Sequence, residues 1–367
     1  MASEPYTEPA LGTGGPVSPG AGEEIGYEGR SPWRLAMRRL RRNKVALGFG
    51  ALFIVIVLFV LAAPLWATRV AHTGPDTVHT TQRIEVNGEE RDVVDPSGKP
   101  IGPVWFADGG KFFLGADGRL GRDEMVRLMY GGRTSLFIGV MAAVITTVLS
   151  VALGLLAGYY RGWSDAVISR AMDVIWAFPV LLLGIALGTA LAVGGLKIGP
   201  LELSSSSIWI PILIIGFVYT PYMARPIRGE VLALREKEFV ESAVAQGAGS
   251  LRIMFTELLP NLWSTIIVFF TLNIANNLLL ESALSFLGAG VQPPTSSWGT
   301  MVSDAQELIY SAPLLTIWPG LMILLTVLSL NVFGDGLRDA LDPKSKIAVE
   351  AHSGESTAEV TAPGDYR

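Results

Sequence analysis

The 367-residue chain has no cysteine and only three histidines, and charged residues make up only 17% of it. Without cysteine there is no disulfide, no thiolate nucleophile and no cysteine-held metal cluster. His72, His79 and His352 fall in stretches that read as aqueous, so a histidine metal site is not expected. There is also no phosphate loop of the form GxxxxGK followed by Ser or Thr; the nearest strings, GGKF and SGKP, lack the hydroxyl residue that would reach a nucleotide-bound metal. A GxSxG elbow, a paired-histidine zinc motif and a calcium loop are missing too. In ADGRLGRDE two carboxylates stand six apart without the ligand alternation such a loop needs. These absences exclude a catalytic centre of the familiar kinds, and no cofactor, metal or nucleic acid is expected on this chain.

What is present is apolar. Half of the residues are hydrophobic and the mean hydropathy is +0.43, too apolar for a soluble domain of this length. Residues 1–29, rich in Gly, Pro, Glu and Ser, have no apolar periodicity and read as a disordered tail. Residues 30–67 hold a basic block (Arg34, Arg38, Arg39, Arg41, Arg42, Lys44) and then the uncharged run Val45 to Ala67. As a helix that run is about 34 Å long, enough for a hydrocarbon core of about 30 Å. Five further apolar runs follow, at Thr134 to Tyr160, Val174 to Leu196, Ile208 to Ala224, Leu262 to about Gly290, and Ala312 to Gly334. The expectation is an all-α integral membrane protein of six transmembrane helices, with a five-helix core over 134–340 and a second disordered tail at 341–367.

Between the first two spans, residues 68–133 form a polar insertion, and its stretch TQRIEVNGEERDVV alternates around Asn-Gly as a small hairpin does. Orientation follows from basic residues in the short connections. Residues 197–207 and 291–311 hold only Lys197. The opposite connections hold Arg161 and Arg170, then Arg225, Arg228, Arg235, Lys237 and Arg252, then Arg338, Lys344 and Lys346. This asymmetry places both termini in the cytoplasm and the insertion outside; the insertion's nine Lys and Arg do not count, because long translocated loops escape the rule.

Within the cytoplasmic loop 225–260 lies EFVESAVAQGAGSLRIMFTELLPN. It reads as a short helix over Phe239 to Gln246, a turn at Gly247, and a second helix over Leu251 to Leu258 that Pro260 stops. An interfacial helix lying on the membrane is the alternative. The spacing of Glu241, Ser242, Ala243, Gly247, Leu259 and Pro260 resembles the EAA motif of binding-protein-dependent importer permeases, with Ser242 where a second Ala is usual and Glu257 at a usually apolar position. LGADGRLGRDEMVRLMYGGRTSL before the second span, ESALSFLGAGVQPPTSSWGTMVSDA after the fifth and NVFGDGLRDALDP at the end of the sixth are similar to the same places in the dipeptide, oligopeptide and nickel permease family. The resemblance covers most of residues 30–344 outside 75–105.

This resemblance implies a type I importer permease fold in the bacterial cytoplasmic membrane, carrying di- or oligopeptides by alternating access. It implies a related second permease, two ATP-binding subunits that hold the ATP and Mg, and an extracytoplasmic substrate-binding protein. On this reading the chain is no enzyme, and Glu241, Ser242, Ala243, Gly247, Leu259 and Pro260 couple it to the ATPases. Arg122, Asp123, Arg127, Tyr130 and Arg133 are candidates for an external gate or receptor contact, with a helix merely lying on the membrane as the other reading. In the fifth span, Asn273, Asn277 and Glu281 recur every four residues on one face. They either line the pathway or bond helix to helix. Nickel-complex uptake remains an alternative substrate, and an ion-coupled transporter or a membrane receptor an alternative class.

Overall fold

The computed structural model describes residues 32–341, apart from 87, 107, 108, 119, 199 and 200. The tails expected at 1–29 and 341–367 lie outside the described residues, save Leu341.

The chain opens with the basic helix α1 (Pro32–Arg42) and enters α2 (Lys44–Leu61), whose first turn is capped by Asn43 Oδ1 accepting from the Ala46 amide at 3.0 Å. The first span is not one straight helix. It breaks at Ala62 and resumes as α3 (Ala63–Arg69), because Pro64 has no N–H to continue the ladder. Next comes the insertion, with an antiparallel hairpin of β1 (Arg83–Val86) and β2 (Glu89–Asp92) in which Arg83 faces Asp92. Ile84, Val86, Val93, Val104, Phe112 and Ala116 form its own small core.

Helix α4 (Glu124–Tyr160) has 37 residues, about 55 Å. It is the axis of the molecule. Its first three turns carry Arg127, Tyr130 and Arg133 ahead of the apolar run that begins at Thr134. Beyond Arg161, α5 (Gly162–Trp176) and α6 (Val180–Gly194) meet at 86°; Pro179 disfavours helical backbone at Phe178 and forces the corner. A second small hairpin, β3 (Leu196–Ile198) with β4 (Leu201–Leu203), follows. Helices α7 (Trp209–Val218) and α8 (Thr220–Arg235) are bent by 41°, with Pro221 just past the break. The bend is held from α4, where Thr146 Oγ1 donates to the Gly216 carbonyl at 3.1 Å and Ser150 Oγ to the Thr220 carbonyl at 2.8 Å.

After α9 (Glu238–Ala245) the chain turns into a continuous helical run made of α10 (Ser250–Arg252), a π-helical segment Ile253–Leu258, α11 (Leu259–Asn261) and α12 (Trp263–Phe286). A short α13 (Trp298–Asp304), opened by a Ser297–Thr300 capping box, leads to α14 (Leu314–Leu341). Helices α2, α4, α12 and α14 are each long and apolar enough to cross a membrane, and six spans are reached when each bent pair counts as one.

Three buried clusters line α4 from end to end. The first joins Leu128 and Met129 to Ile56, Val60, Leu278 and Trp298; the second joins Ile138 and Ala142 to Ile212, Ile215 and Leu284; the third joins Leu155 to Ile227, Val231, Val240, Ile253 and Leu258. The insertion and the 225–260 loop therefore sit at opposite ends of the same rod.

Candidate functional site

At the loop end, α9 stops in a Schellman turn: the Gly247 amide donates to the Val244 carbonyl at 2.9 Å, and the Ala248 amide to the Ala243 carbonyl at 3.0 Å. Gly247 has φ +79°, and a Cβ there would meet nothing within 4 Å. Its requirement is backbone conformation alone. Ala243 and Ala248 lie half-buried on the cluster that Val240, Ile253, Met254 and Leu258 form with α4, α8 and α12. The opposite side of the knob is open: Glu241 and Ser242 are exposed, as are the apolar Phe239, Val244, Leu251 and Phe255.

Pro260 does not stop the second helix, contrary to the expectation from sequence. The chain widens to a π turn, with the Leu259 amide bonding back to the Met254 carbonyl, which makes room for the proline ring. Asn261 Nδ2 then donates to the Glu257 carbonyl at 2.6 Å. Leu259 is half-buried and Pro260 exposed. The knob thus runs through a helical connection, broken only at Leu262, into the fifth span.

In that span Asn273, Asn277 and Glu281 are all fully buried. Asn273 Nδ2 donates to Met223 Sδ at 3.4 Å, while its Oδ1 and both polar atoms of Asn277 have no hydrogen-bond partner. Glu281 is the opposite case. Ser285 Oγ donates to it at 2.7 Å and Ser282 Oγ approaches at 3.4 Å, with the Ser135 and Ser297 side chains close by. The oxygens of Ser285, Ser135 and Ser297 accept from the backbone amides of Val291, Trp298 and Thr300. The Ser285 hydroxyl proton is thereby left for the carboxylate. Glu281 is the hub of a knot joining α4, α12 and the entry to α13.

At the insertion end, Asp123 caps α4: its Oδ1 accepts from the Val126 amide at 3.0 Å and its Oδ2 from the Phe112 amide at 2.6 Å. Burial pushes its carboxyl above the ordinary value, against the pull of these amides. Arg122 Nε donates to Asp117 at 2.6 Å, Arg127 Nη1 donates to the same carboxylate, and Arg127 Nη2 reaches Asp304 on α13 at 3.1 Å. Asp117 also accepts from the Leu120 and Arg122 amides. Arg133 lies exposed with its guanidinium 5.5 Å from the centre of the half-buried Tyr130 ring. The structure therefore joins Arg122 and Arg127 through Asp117 and Asp304, uses Asp123 separately as the buried cap of α4, and leaves Arg133 outside both.

Sequence reasoning did not single out Asp304 or the four serines. No local pattern marks Asp304 or Ser135, whose partners lie far along the chain, whereas Ser282 and Ser285 stand one and four residues from Glu281. Asp117 was visible only as half of a failed calcium loop. Among the described residues no three His, Asp or Glu side chains converge as metal ligands.

Broken membrane helices around buried polar groups, with a two-helix knob at one end and a folded insertion at the other, define an integral membrane subunit of the permease class. The family described as binding-protein-dependent transport system inner membrane component matches residues 150–347, and the N-terminal transmembrane domain of oligopeptide transport permease C matches residues 31–83. The chain belongs to this family of inner-membrane permeases. It is 38% identical to the dipeptide transport system permease protein of Alkalihalophilus pseudofirmus, over 87% of this chain and 92% of that one. It is 35% identical to the glutathione transport system permease protein of Pectobacterium atrosepticum, over 86% and 93%. Among solved structures, the inward-facing MetNI methionine ABC transporter is 18% identical with a TM-score of 0.47, covering 59% of this chain and 96% of that one.

Proposed function

We propose that this chain is the membrane-spanning subunit of an ATP-driven importer that carries di- and oligopeptides into the cell by alternating access. It works with a second, related permease, two ATP-binding subunits holding ATP and Mg, and an extracytoplasmic substrate-binding protein. The chain itself hydrolyses nothing. It lies in the bacterial cytoplasmic membrane with both termini and the 225–260 loop on the cytoplasmic side. The dipeptide and glutathione permeases that resemble it along nearly their whole length support the peptide reading.

The observation that carries the mechanism is the knob. Phe239, Val244, Leu251 and Phe255 present apolar surface beside Glu241, while Val240, Ile253 and Leu258 fix the same two helices to α4, α8 and α12. A push on the exposed side is passed to three spans through packed side chains. Glu241 supplies the polar contact to the ATPase, Ser242 and Ala243 the close approach, and Gly247 the bend, while Leu259 and Pro260 join the knob to the fifth span. Asn273 and Asn277 face the pathway in another conformation, and the unbonded Oδ1 of Asn273 and unbonded amide of Asn277 here support that. At the other end Tyr130 and Arg133 meet the receptor, and Arg122, Asp123 and Arg127 hold the gate elements in place.

The test uses the full chain co-expressed with the ATPase subunits of its importer. Wild type is expected to retain the ATPases on affinity capture and to support uptake of a labelled dipeptide. The Glu241→Ala, Gly247→Val double variant should be inserted normally and lose both. Equal capture by the double variant would overturn the coupling role. Uptake of nickel complexes without dipeptides would overturn the substrate, and uptake that survives loss of ATP hydrolysis would overturn the class.

A further inference from the structure

A cleft of about 520 Å³ opens at the loop end of the bundle between α8, α12 and α14. Its size is in the range of small-ligand sites. Tyr222 and Glu230 come from α8, Ser264, Thr265 and Phe269 from α12, and Arg338 from α14. Glu230 is half-buried and Arg338 exposed, and among the described residues neither makes a hydrogen bond or an ion pair, with each other or with any third group. The other cationic side chains of α8 are engaged: Arg225 with Asp173, Arg228 with Asp165, and Arg235 with the Tyr159 carbonyl. The Ser264 and Thr265 hydroxyls make no side-chain hydrogen bond either, and Asn261 uses only its Nδ2, on the Glu257 carbonyl.

The cleft thus offers one free carboxylate, one free guanidinium, two free hydroxyls and an aromatic floor. A carboxylate seeks an ammonium, and a guanidinium matches a carboxylate in planar, two-pronged fashion. A half-buried Glu230 without a partner is a standing cost that a cationic ligand group removes. We infer that this cleft is a binding site for a small zwitterion bearing an ammonium at one end and a carboxylate at the other, with Glu230 taking the ammonium and Arg338 the carboxylate. This rests on the peptide-importer reading and names a seat for the substrate beside the coupling loop. Helices α8 and α12, which supply most of the cleft, run directly into the knob, so a seated ligand touches the elements the knob moves.

The absence of cysteine makes the test clean. A Ser264→Cys chain carries a single thiol, and Thr265→Cys supplies a second probe of the same cleft should the first fail to insert. Alkylation by an impermeant maleimide is timed in inside-out vesicles from cells expressing the full chain with its neighbouring transporter subunits. Alanyl-alanine should slow labelling, while N-acetyl-alanyl-alanine and alanyl-alanine amide should each need at least tenfold higher concentration. In a Glu230→Gln background the free and acetylated peptides should act alike, and in an Arg338→Gln background the free and amidated peptides should act alike. Equal protection by capped peptides, a terminus pattern unmoved by either exchange, or protection by added phospholipid alone would overturn the assignment. Dipeptide uptake by intact cells is measured in parallel. Uptake without terminus-dependent protection sinks the cleft alone, and protection without uptake leaves the cleft standing and sinks the importer reading.

Discussion

Arg127 on α4 and Asp304 on α13 stand 3.1 Å apart, although 177 residues separate them in the chain. Arg127 simultaneously donates to Asp117 in the insertion, so one guanidinium fastens the insertion to both α4 and α13. Only 3% of its side chain is exposed, against 37% for that of Asp304.

This asymmetry predicts unequal costs. Arg127→Leu leaves the buried Asp117 short of a partner and should cost about 3–5 kcal/mol. Asp304→Asn removes a pair open to water on one side and should cost about 0.2–1 kcal/mol. Thermal unfolding of the purified chain in detergent reads both, and equal losses would show that Arg127 is not the centre of the network.

Gly154 and Gly158 bring α4 against α8. A Cβ at 158 would stand 2.7 Å from Val231 Cγ1 and 3.0 Å from the Arg228 carbonyl oxygen. Small residues four apart let helix backbones approach in a membrane. Gly158→Ala should therefore destabilise by about 1–3 kcal/mol, and Val231→Ala in the same chain should return part of that loss. Additive losses in the double variant would place the strain elsewhere.

The two buried polar positions in the fifth span should respond in opposite ways. Asn277 has no partner for its amide, so Asn277→Leu relieves about 1–3 kcal/mol of unmet hydrogen bonding and should raise the unfolding midpoint of this conformation. Glu281→Leu strands the hydroxyls of Ser282 and Ser285 and should lower it. Dipeptide uptake by the Asn277→Leu chain should fall even as its stability rises. A drop in midpoint for Asn277→Leu would contradict this account.

The insertion should weaken in acid. His79 Nε2 lies 2.8 Å from Thr73 Oγ1, and partial burial with the nearby Lys111 charge holds the imidazole below its ordinary pKa of 6.5. The folded insertion therefore prefers the neutral ring, and its contribution is complete above about pH 6.5 and is lost as the pH falls through the depressed folded value. Asp95 acts in the same sense only below the usual carboxylate range, because Ser97 and the Lys99 amide hold its pKa down. The raised Asp123 acts in the opposite sense. Hydrogen exchange of residues 73–123, corrected for intrinsic rates, should show protection falling between pH 7.5 and 5.5 in wild type, and falling less or rising in His79→Gln. Rising protection in wild type over that interval would refute the sign.

The hairpin of β1 and β2 was legible because alternation and turn chemistry are local, and the bend at Gly247 because only the residues beside it define it. Pro260 misled for the same reason. Taken locally a proline ends a helix, but here a π turn upstream absorbs it and packing against α4 and α8 keeps the run helical. The corner at Pro179 was likewise hidden within an apolar run, since hydropathy does not register direction.

Asn273, Asn277 and Glu281 show the limit most clearly. Their four-residue spacing put them on one helix face, and that much is fixed by helix geometry. Which of them is bonded depended on Ser285 of the same span and on how the segments carrying Ser135 and Ser297 pack beside it.

The sequence by itself determined the apolar spans, the polar insertion, the bend at Gly247 and the family, because these follow from hydropathy, backbone chemistry and strings of neighbouring residues. Only the tertiary structure decided that Arg127 joins Asp117 to Asp304, that Glu281 is sealed in serines, and that Glu230 and Arg338 share an open cleft. Those relations arise between helices packed side by side, and no spacing along one chain encodes which faces meet.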